Sequence, residues 1–473
     1  MKRVAWILPL LFVAVCSAQT SKNNHAKTPG TFRGSPYIVG RISTPTSTTP
    51  EAEEVNAIDP NNSTNVVGVI TDYSIRNVNE GTTKYVVTTN AGGTWTQNFV
   101  PLAGTFPTTS DGVQWLDNRD PAVAIDRLGN VFVAGVYELL ATSKDGTPKP
   151  GVPRPHPPAG IYTCQATLPS VVLTAASCHP VFTNPTSPNP FSEDKPCVVT
   201  DNSSSATAGN VYVAWLHFVG CQGATCQTKY IVFSHSSDHG VTWSSPLQLS
   251  KLNADVEWPQ AMVGNDGTIY VSWQTLSSGN LAQHWLATST NGGLTFGTPQ
   301  AITPTYQDLV FNSTYRKNSG PNIAISSVAG AEYVYDVYAQ QIGSQTQIVY
   351  VRSNQPKGLG GFTSPVPMND SQAGQRLFPA ATVDNNGTLH VAWFDTRNSP
   401  VVSKYDIYAT YSTDLGATFA PNARVTPALI TAGKFIGDYA GIVAEPTSGV
   451  AHPVWTSGGL NNGKLQTSTL TVP

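Results

Sequence analysis

The chain has 473 residues, 40% of them apolar and 12% charged, with a formal net charge of −3. That is apolar material for one large domain or two ordinary ones. A near-neutral chain without any Lys/Arg block excludes bulk electrostatic attraction to nucleic acid or anionic lipid. The 40 Gly and 36 Pro residues break helices, and the many Thr, Val and Tyr residues suit pleated strands, so short strands joined by tight turns are expected.

Lys2 and Arg3 precede an apolar run from Val4 to Val15 and the small residues Cys16-Ser17-Ala18. This predicts a signal peptide over 1–18, cleaved before Gln19, and a secreted or periplasmic protein. Acylation of Cys16 is the competing reading, opposed by the bulk of Val15. No later apolar run is long enough to span a bilayer. Residues 19–34 read as a flexible leader, and 35–473 as the folded domain.

Self-similarity then dominates the chain. TTNAGGTW (Thr88 to Trp95), SSDHGVTW (Ser236 to Trp243), STNGGLTF (Ser289 to Phe296) and STDLGATF (Ser412 to Phe419) all fit S/T-x-D/N-x-G-x-T-W/F. A looser copy starts at Ser143 with Asp145, and another ends at Phe362. As a hairpin turn the pattern is physically coherent. The Asp or Asn side chain accepts backbone N–H groups, Gly takes a positive φ, and the aromatic ring packs between sheets. These Asp residues are therefore read as structural.

A second signature precedes each box: Pro, a short alternating strand, a Gly-containing turn and a strand ending in Trp. PQAMVGNDGTIYVSW (Pro259 to Trp273) and PAATVDNNGTLHVAW (Pro379 to Trp393) show it most fully, with two-residue hairpin turns at Asp266-Gly267 and Asn386-Gly387. Counting both signatures gives seven units, starting near Asn56, Asp120, Lys195, Trp258, Pro321, Pro379 and Asp438. Units of roughly 60 residues suit four-stranded propeller blades. The fold class is all-β, a β-propeller of seven four-stranded blades, with six as the alternative if the second unit is a decoration. The last unit reaches only a third strand at Leu465 to Leu470, so Tyr37 to Ile42 is expected to supply its fourth and close the ring.

The stretch at about 146–194 is Pro-rich and reads as a disulfide-tied insertion over one face. After cleavage five cysteines remain. None shows CxxC spacing, so no metal site is expected. Cys164 with Cys178 and Cys221 with Cys226 are the obvious pairs, which leaves Cys197 over.

These repeats resemble the Asp-box (bacterial neuraminidase) repeats of the sialidase superfamily, of secreted bacterial type, over nearly the whole mature chain. Similar boxes also occur in propellers that are not sialidases, so the resemblance implies the fold more strongly than the activity. It implies that the boxes lie on one rim and the active site on the other, near the axis. Loops on that rim carry Asp117, Arg119, Asp120, Glu138, Asp194, Lys195, His217, Asp255, Glu257, Trp258, Arg376, Asp395, Arg397, Asp438 and Tyr439. By the same resemblance Asp120, Glu257 and Tyr439 are the candidate catalytic residues. Asp120 would be the general acid/base and Tyr439, paired with a carboxylate, the nucleophile. Arg119, Arg376 and Arg397 would grip a substrate carboxylate, and Asp395, Asp438 and Trp258 are the further substrate-binding candidates. The Arg-Ile-Pro motif of that superfamily is absent, FRGSPYIVGRIS being only a faint echo, and no arginine lies between Arg154 and Arg316.

Structural readings stand beside these. Arg119 with Asp120, and Asp395 with Arg397, also read as ion pairs stitching blades, and Trp258 as a core residue. His235 and His239 flank a turn, and the Asp384–Gly387 turn lacks further acidic ligands for calcium. The expected function is a sialidase-like glycoside hydrolase acting on extracellular glycans. The alternatives are a non-catalytic carbohydrate- or protein-binding propeller and an envelope assembly factor. No cofactor and no nucleic-acid partner are expected, a protein partner stays open, and the chain is expected to be monomeric.

Overall fold

The computed structural model describes residues 40–41, 51–73, 81–101, 117–138, 159–183, 192–220, 228–251, 255–328, 330–399, 401–433, 435–458 and 464–472. They form seven antiparallel sheets of four main strands each, three of which carry an extra short strand. The inner strands are Glu51–Ile58, Asp117–Ile125, Ser192–Thr200, Asp255–Val263, Asn322–Val328, Arg376–Val383 and Gly441–Ala444. Each packs on the next, and the seventh packs on the first, so the sheets circle a common axis.

The second unit is a blade, which gives seven rather than six. Ala159–Thr167 and Cys178–Thr183 are its third and fourth strands. The expected insertion therefore needs correction: its central part is sheet, because Gly160 to Thr167 alternates well enough to pair with the preceding strand along its whole length. A Cys164–Cys178 disulfide joins two directly opposed residues of those strands. Cys197 is a free thiol. Cys221, Cys226, Ser143, Asp145, the signal peptide and the leader lie outside the described residues.

Ring closure follows the expected logic. Gly40–Arg41 pairs with Gln466 and Thr467 as the outermost strand of the seventh blade. The strand-two tryptophans Trp215, Trp393 and Trp455 are essentially fully buried, Trp215 among residues of the preceding blade. The boxes form the turns anticipated from their side chains. Asp238 accepts the Thr242 amide at 2.9 Å and its hydroxyl at 2.6 Å, while Ser236 accepts the Gly240 amide at 2.8 Å. The same bonds recur at Asp414; Asn90 and Asn291 likewise accept the Thr amide, but there the Asn side-chain amide donates to the Thr hydroxyl.

One irregularity recurs and positions the candidate site. The inner strand is bulged in five blades, between Ala52/Val55, Arg119/Ala122, Asp194/Cys197, Glu257/Gln260 and Leu377/Ala380. The bulge residues Glu53, Asp120, Lys195, Trp258 and Phe378 all adopt positive φ, from 48° to 67°. For side chains with a Cβ this costs about 1–3 kcal/mol each, so it is kept only where the surroundings over-determine it. In four of the five a Pro follows, which has no N–H to give to the ladder and so favours the break. A bulge re-aims its side chain. Here it gathers Glu53, Asp120, Lys195 and Trp258 at one site, while Phe378 packs into its own blade against Phe394.

Candidate functional site

Four consecutive bulges supply Glu53, Asp120, Lys195 and Trp258, and the approach to the seventh inner strand adds Asp438 and Tyr439. Lys195 is the hub. Its Nζ lies 2.6 Å from Asp120 Oδ1, 2.9 Å from Asp438 Oδ2, 3.2 Å from Glu53 Oε1 and 3.8 Å from Asp194 Oδ1. The ammonium also stands 5.5 Å from the Trp258 ring centre and 5.7 Å from that of Tyr439, within cation–π range. Glu53 in turn accepts the hydroxyls of Thr71 at 3.2 Å and Tyr73 at 3.3 Å. Glu53, Asp120, Lys195 and Asp438 are buried, whereas Asp194, Trp258 and Tyr439 are half-buried.

Arg316 covers the cluster from the loop before the fifth blade. Its Nη2 is 2.6 Å from Asp438 Oδ2, its guanidinium lies 4.8 Å from the Phe435 ring centre, and its side chain is 61% exposed. The loop is pinned beside it, since Asn318 Nδ2 donates to Asp438 O at 2.6 Å. Ser319 is held by Asp308, Gln274 and the buried Tyr306. Gly320 is required by close approach: a Cβ there would lie 2.6 Å from the Trp258 ring. A cavity of about 200 Å3 runs from Lys195, Trp258 and Tyr439 along the small inner-strand side chains Ala122, Ala261 and Ala380.

Four carboxyl groups gathered around few cations cannot all ionise freely. Burial, and then the neighbouring Asp120, push Glu53 up to about 7 against the opposing pull of Lys195. Burial acts on Asp120 in the same sense, but Lys195, Arg119 and hydrogen bonds from Lys195 and Glu53 outweigh it and hold Asp120 down at about 2. Asp194 is raised by burial and by the surrounding carboxylates. Lys195 stays charged, because Asp120, Asp194, Asp438 and Glu53 overcome the cost of its burial. Near neutral pH Glu53 is thus poised between its protonated and ionised forms beside an ionised Asp120. Burial and the adjoining Glu53 carboxyl push the phenols of Tyr73 and Tyr439 well above their ordinary range.

The candidates from sequence divide into three groups. Asp120, Trp258, Asp438 and Tyr439 converge on Lys195. Arg119, half-buried, stands one residue before a bulge, and its charge acts on Asp120 and Tyr73. Glu257 sits at the equivalent place two blades on, where Lys229 bridges it to Asp255; the Lys229–Asp255 contact is 2.6 Å. His217 pairs with the buried Glu193 at 2.7 Å. The side chains of Asp117 and Glu138 lie outside the described residues.

Arg376, Arg397 and Asp395 are not brought to Lys195. The Arg376 guanidinium, fully buried, donates to the carbonyls of Thr346 at 2.8 Å, Gly374 at 3.2 Å, Ser371 at 2.7 Å and Ala373 at 2.5 Å. Arg397 holds Asp395 through Nε at 3.0 Å and Nη2 at 2.8 Å, holds Asp370 at 2.7 Å, and stacks 4.0 Å from the Tyr408 ring centre. Asp395 also accepts the Trp393 indole N–H at 2.9 Å. Arg376 stands two residues before its bulge, where the side chain turns into its own blade, as Glu51 and Glu193 do in theirs.

The sequence reading missed Glu53, Tyr73 and Arg316. The first unit has no Xaa-Pro signature, and its expected start near Asn56 falls three residues beyond the bulge residue Glu53. The acidic run Glu51-Ala52-Glu53-Glu54 was the available signal. Arg316 precedes Pro321 by only five residues, in the kind of loop already singled out.

Neither a protein-family model nor a curated protein matches the chain. Among solved structures, similarity in fold extends to a sialidase described as Hadza microbial sialidase Hz136, at 14% identity and TM-score 0.47, covering 83% of this chain and 74% of that one. The NanB sialidase of Streptococcus pneumoniae aligns at 11% identity and TM-score 0.46, covering 92% and 70%. An α-L-arabinanase of Penicillium chrysogenum aligns at 14% identity and TM-score 0.43, covering 79% and 97%. At these identities the likeness is one of fold alone.

Proposed function

We propose that the protein is a secreted glycoside hydrolase acting on an extracellular glycan whose reacting sugar carries no carboxylate. The observation that carries this reading is the contrast between Glu53, raised to about 7, and Asp120, lowered to about 2, against one ammonium on the axis. Two carboxyl groups driven apart in this way form an acid and a charge-stabilising base. Glu53 would protonate the glycosidic oxygen, which would take the place of Asp120 as acceptor of its hydrogen bond. Asp120, kept ionised by Lys195, would stabilise the positive charge developing on the sugar ring. Both carboxyl groups touch the same Nζ, so the oxygens concerned are within about 6 Å, closer to retaining than to inverting geometry. Trp258 and Tyr439 would flank the ring, and Arg316 and Asp194 would meet its hydroxyls.

The electrostatics argue against a sialic acid. Glu53, Asp120, Asp194 and Asp438 would repel its carboxylate, Arg376 and Arg397 are engaged elsewhere, and a tyrosine nucleophile needs a phenol shifted down rather than up. The Cys164–Cys178 disulfide fits an oxidising compartment, in keeping with export.

The test is release of fluorophore from a panel of neutral and amino-sugar glycosides, with Glu53→Gln and Asp120→Asn as controls. Turnover should fall by about 10²–10⁴-fold in Glu53→Gln. The second reading, a non-catalytic binding propeller, rests on the direct hold of Lys195 on Glu53, Asp120 and Asp438. It predicts glycan or protein binding without turnover, persisting in both variants.

A further inference from the structure

We infer a second binding site, on the opposite rim at the seam between the seventh and first blades, that takes a neutral sugar unit. In two blades the box aromatic packs on an aromatic ring of the third strand of the blade before it. Phe296 meets Phe233 at 4.8 Å and Phe419 meets Tyr350 at 5.3 Å between ring centres. Phe233 pairs with Ala214, next to Trp215; in the last blade the matching position, paired with Val454 next to Trp455, is Thr467. Tyr212, three residues before Trp215, stacks on Phe233 at 5.7 Å, and its counterpart three residues before Trp455 is His452.

The last blade therefore offers a threonine and an imidazole where a pair of aromatic rings would fill the space. The result is a cavity of about 300 Å3 beside Trp95, lined also by Asn56, Asn90, His452, Thr467 and Thr469. Trp243 closes its own turn by donating its indole N–H to Gly240 O at 3.0 Å, a bond Trp95 does not make among the described residues. Trp95 is half-buried, with its ring applied to the Ile70, Val86, Val454 and Leu465 cluster.

The chemistry of the lining selects the ligand. An indole, amides, hydroxyls and an imidazole present hydrogen-bonding groups and one flat apolar face, without any carboxylate or ammonium. Glu445 holds His452 Nε2 at 3.1 Å and fixes its orientation. A cavity at the lower end of the range for small-molecule sites, about 300–1,000 Å3, matches one sugar ring rather than an oligosaccharide. The site lies on the rim opposite Lys195, so it would hold a glycan without occupying the mouth.

The test is saturation-transfer NMR and calorimetric titration with methyl β-glucoside, methyl β-galactoside and N-acetylglucosamine. Variants are Thr467→Phe, which restores the missing ring, and Trp95→Ala. Binding should weaken at least tenfold in both. If Thr467→Phe does not fold, Trp95→Ala carries the comparison. Failure of every probe to bind, or binding that is undiminished in the variants of the seam, would overturn the assignment.

Discussion

Glu54 in the first inner strand accepts the backbone N–H of Thr456 in the seventh blade at 2.6 Å, and the Thr456 hydroxyl meets the other oxygen of the same carboxyl. Neighbouring bonds work the same seam: Asn56 Nδ2 donates to His452 O at 3.0 Å, and Leu465 N donates to Glu51 at 3.3 Å. Ring closure thus rests on a buried acidic run as well as on the outermost strand.

A pH signature follows. Burial pushes Glu54 up to about 8. Below about pH 4.5 folded and unfolded chains both hold its proton; from there to about pH 8 only the folded chain does, so stability falls as pH rises across that interval. Glu53 and Glu193, each raised to about 7 mainly by burial, act in the same sense. Scanning calorimetry should show Tm dropping from pH 5 to 8.5. Glu54→Gln should flatten the dependence by up to about 1.4 kcal/mol per pH unit. An unchanged slope would show that Glu54 ionises normally.

Lys195→Met removes the cation that Glu53, Asp120 and Asp438 share. Leaving buried carboxylates without their partner costs about 3–5 kcal/mol. Urea unfolding at pH 7 should register that loss, with a smaller loss at pH 4.5, where some of these carboxyls can protonate. A loss below about 1 kcal/mol at pH 7, the range of exposed pairs, would mean that water reaches the cluster.

If Glu53 is the proton donor, kcat/KM for a glycoside should fall tenfold per pH unit above about pH 7, where its carboxyl ionises. Glu53→Gln should abolish that limb together with most of the rate. An alkaline limb that persists in Glu53→Gln would assign it to another group, Asp194 being a further raised carboxyl on the same ammonium.

Arg376 and Arg316 should separate stability from recognition. Arg376→Met strips donors from four backbone carbonyls and should destabilise the fold by about 3 kcal/mol or more. The change should appear in urea unfolding with little effect on KM. Arg316→Ala, at a largely exposed side chain, should change stability by less than about 1 kcal/mol while raising KM at the mouth. The reverse pattern would put Arg376 in contact with the substrate.

The contrast between Arg316 and Arg376 also explains which parts of the candidate site were legible in the sequence. Arg316 lies in the loop before the fifth inner strand and Arg376 opens the sixth, and both have the chemistry to bind a carboxylate. Arg376, two residues before the Phe378 bulge, is turned into its own blade, because side chains alternate faces along a strand and a bulge resets that alternation, whereas Arg316 is carried over the mouth by its loop. Asp120, Lys195 and Trp258 could be located because a Pro follows each of them. Glu53 could not, since Glu54 occupies the place of that Pro. The Pro-rich second unit looked like an insertion because composition weighs prolines equally, whereas pairing depends only on the residues between them.

The sequence alone determined the repeat: hairpin turns set by Ser, Asp, Gly and Thr, tryptophans on the second strands, a unit length fit for four strands, and a first strand able to complete the last sheet. These are local properties, because a turn or an alternating strand is dictated by residues a few positions apart. The tertiary structure decided which charges meet. Lys195 gathers carboxyl groups from blades that are neighbours only after the ring has closed, and their protonation depends on distances and burial that no linear spacing encodes. The cavity beside Trp95 has the same origin, since it exists only where the last blade meets the first.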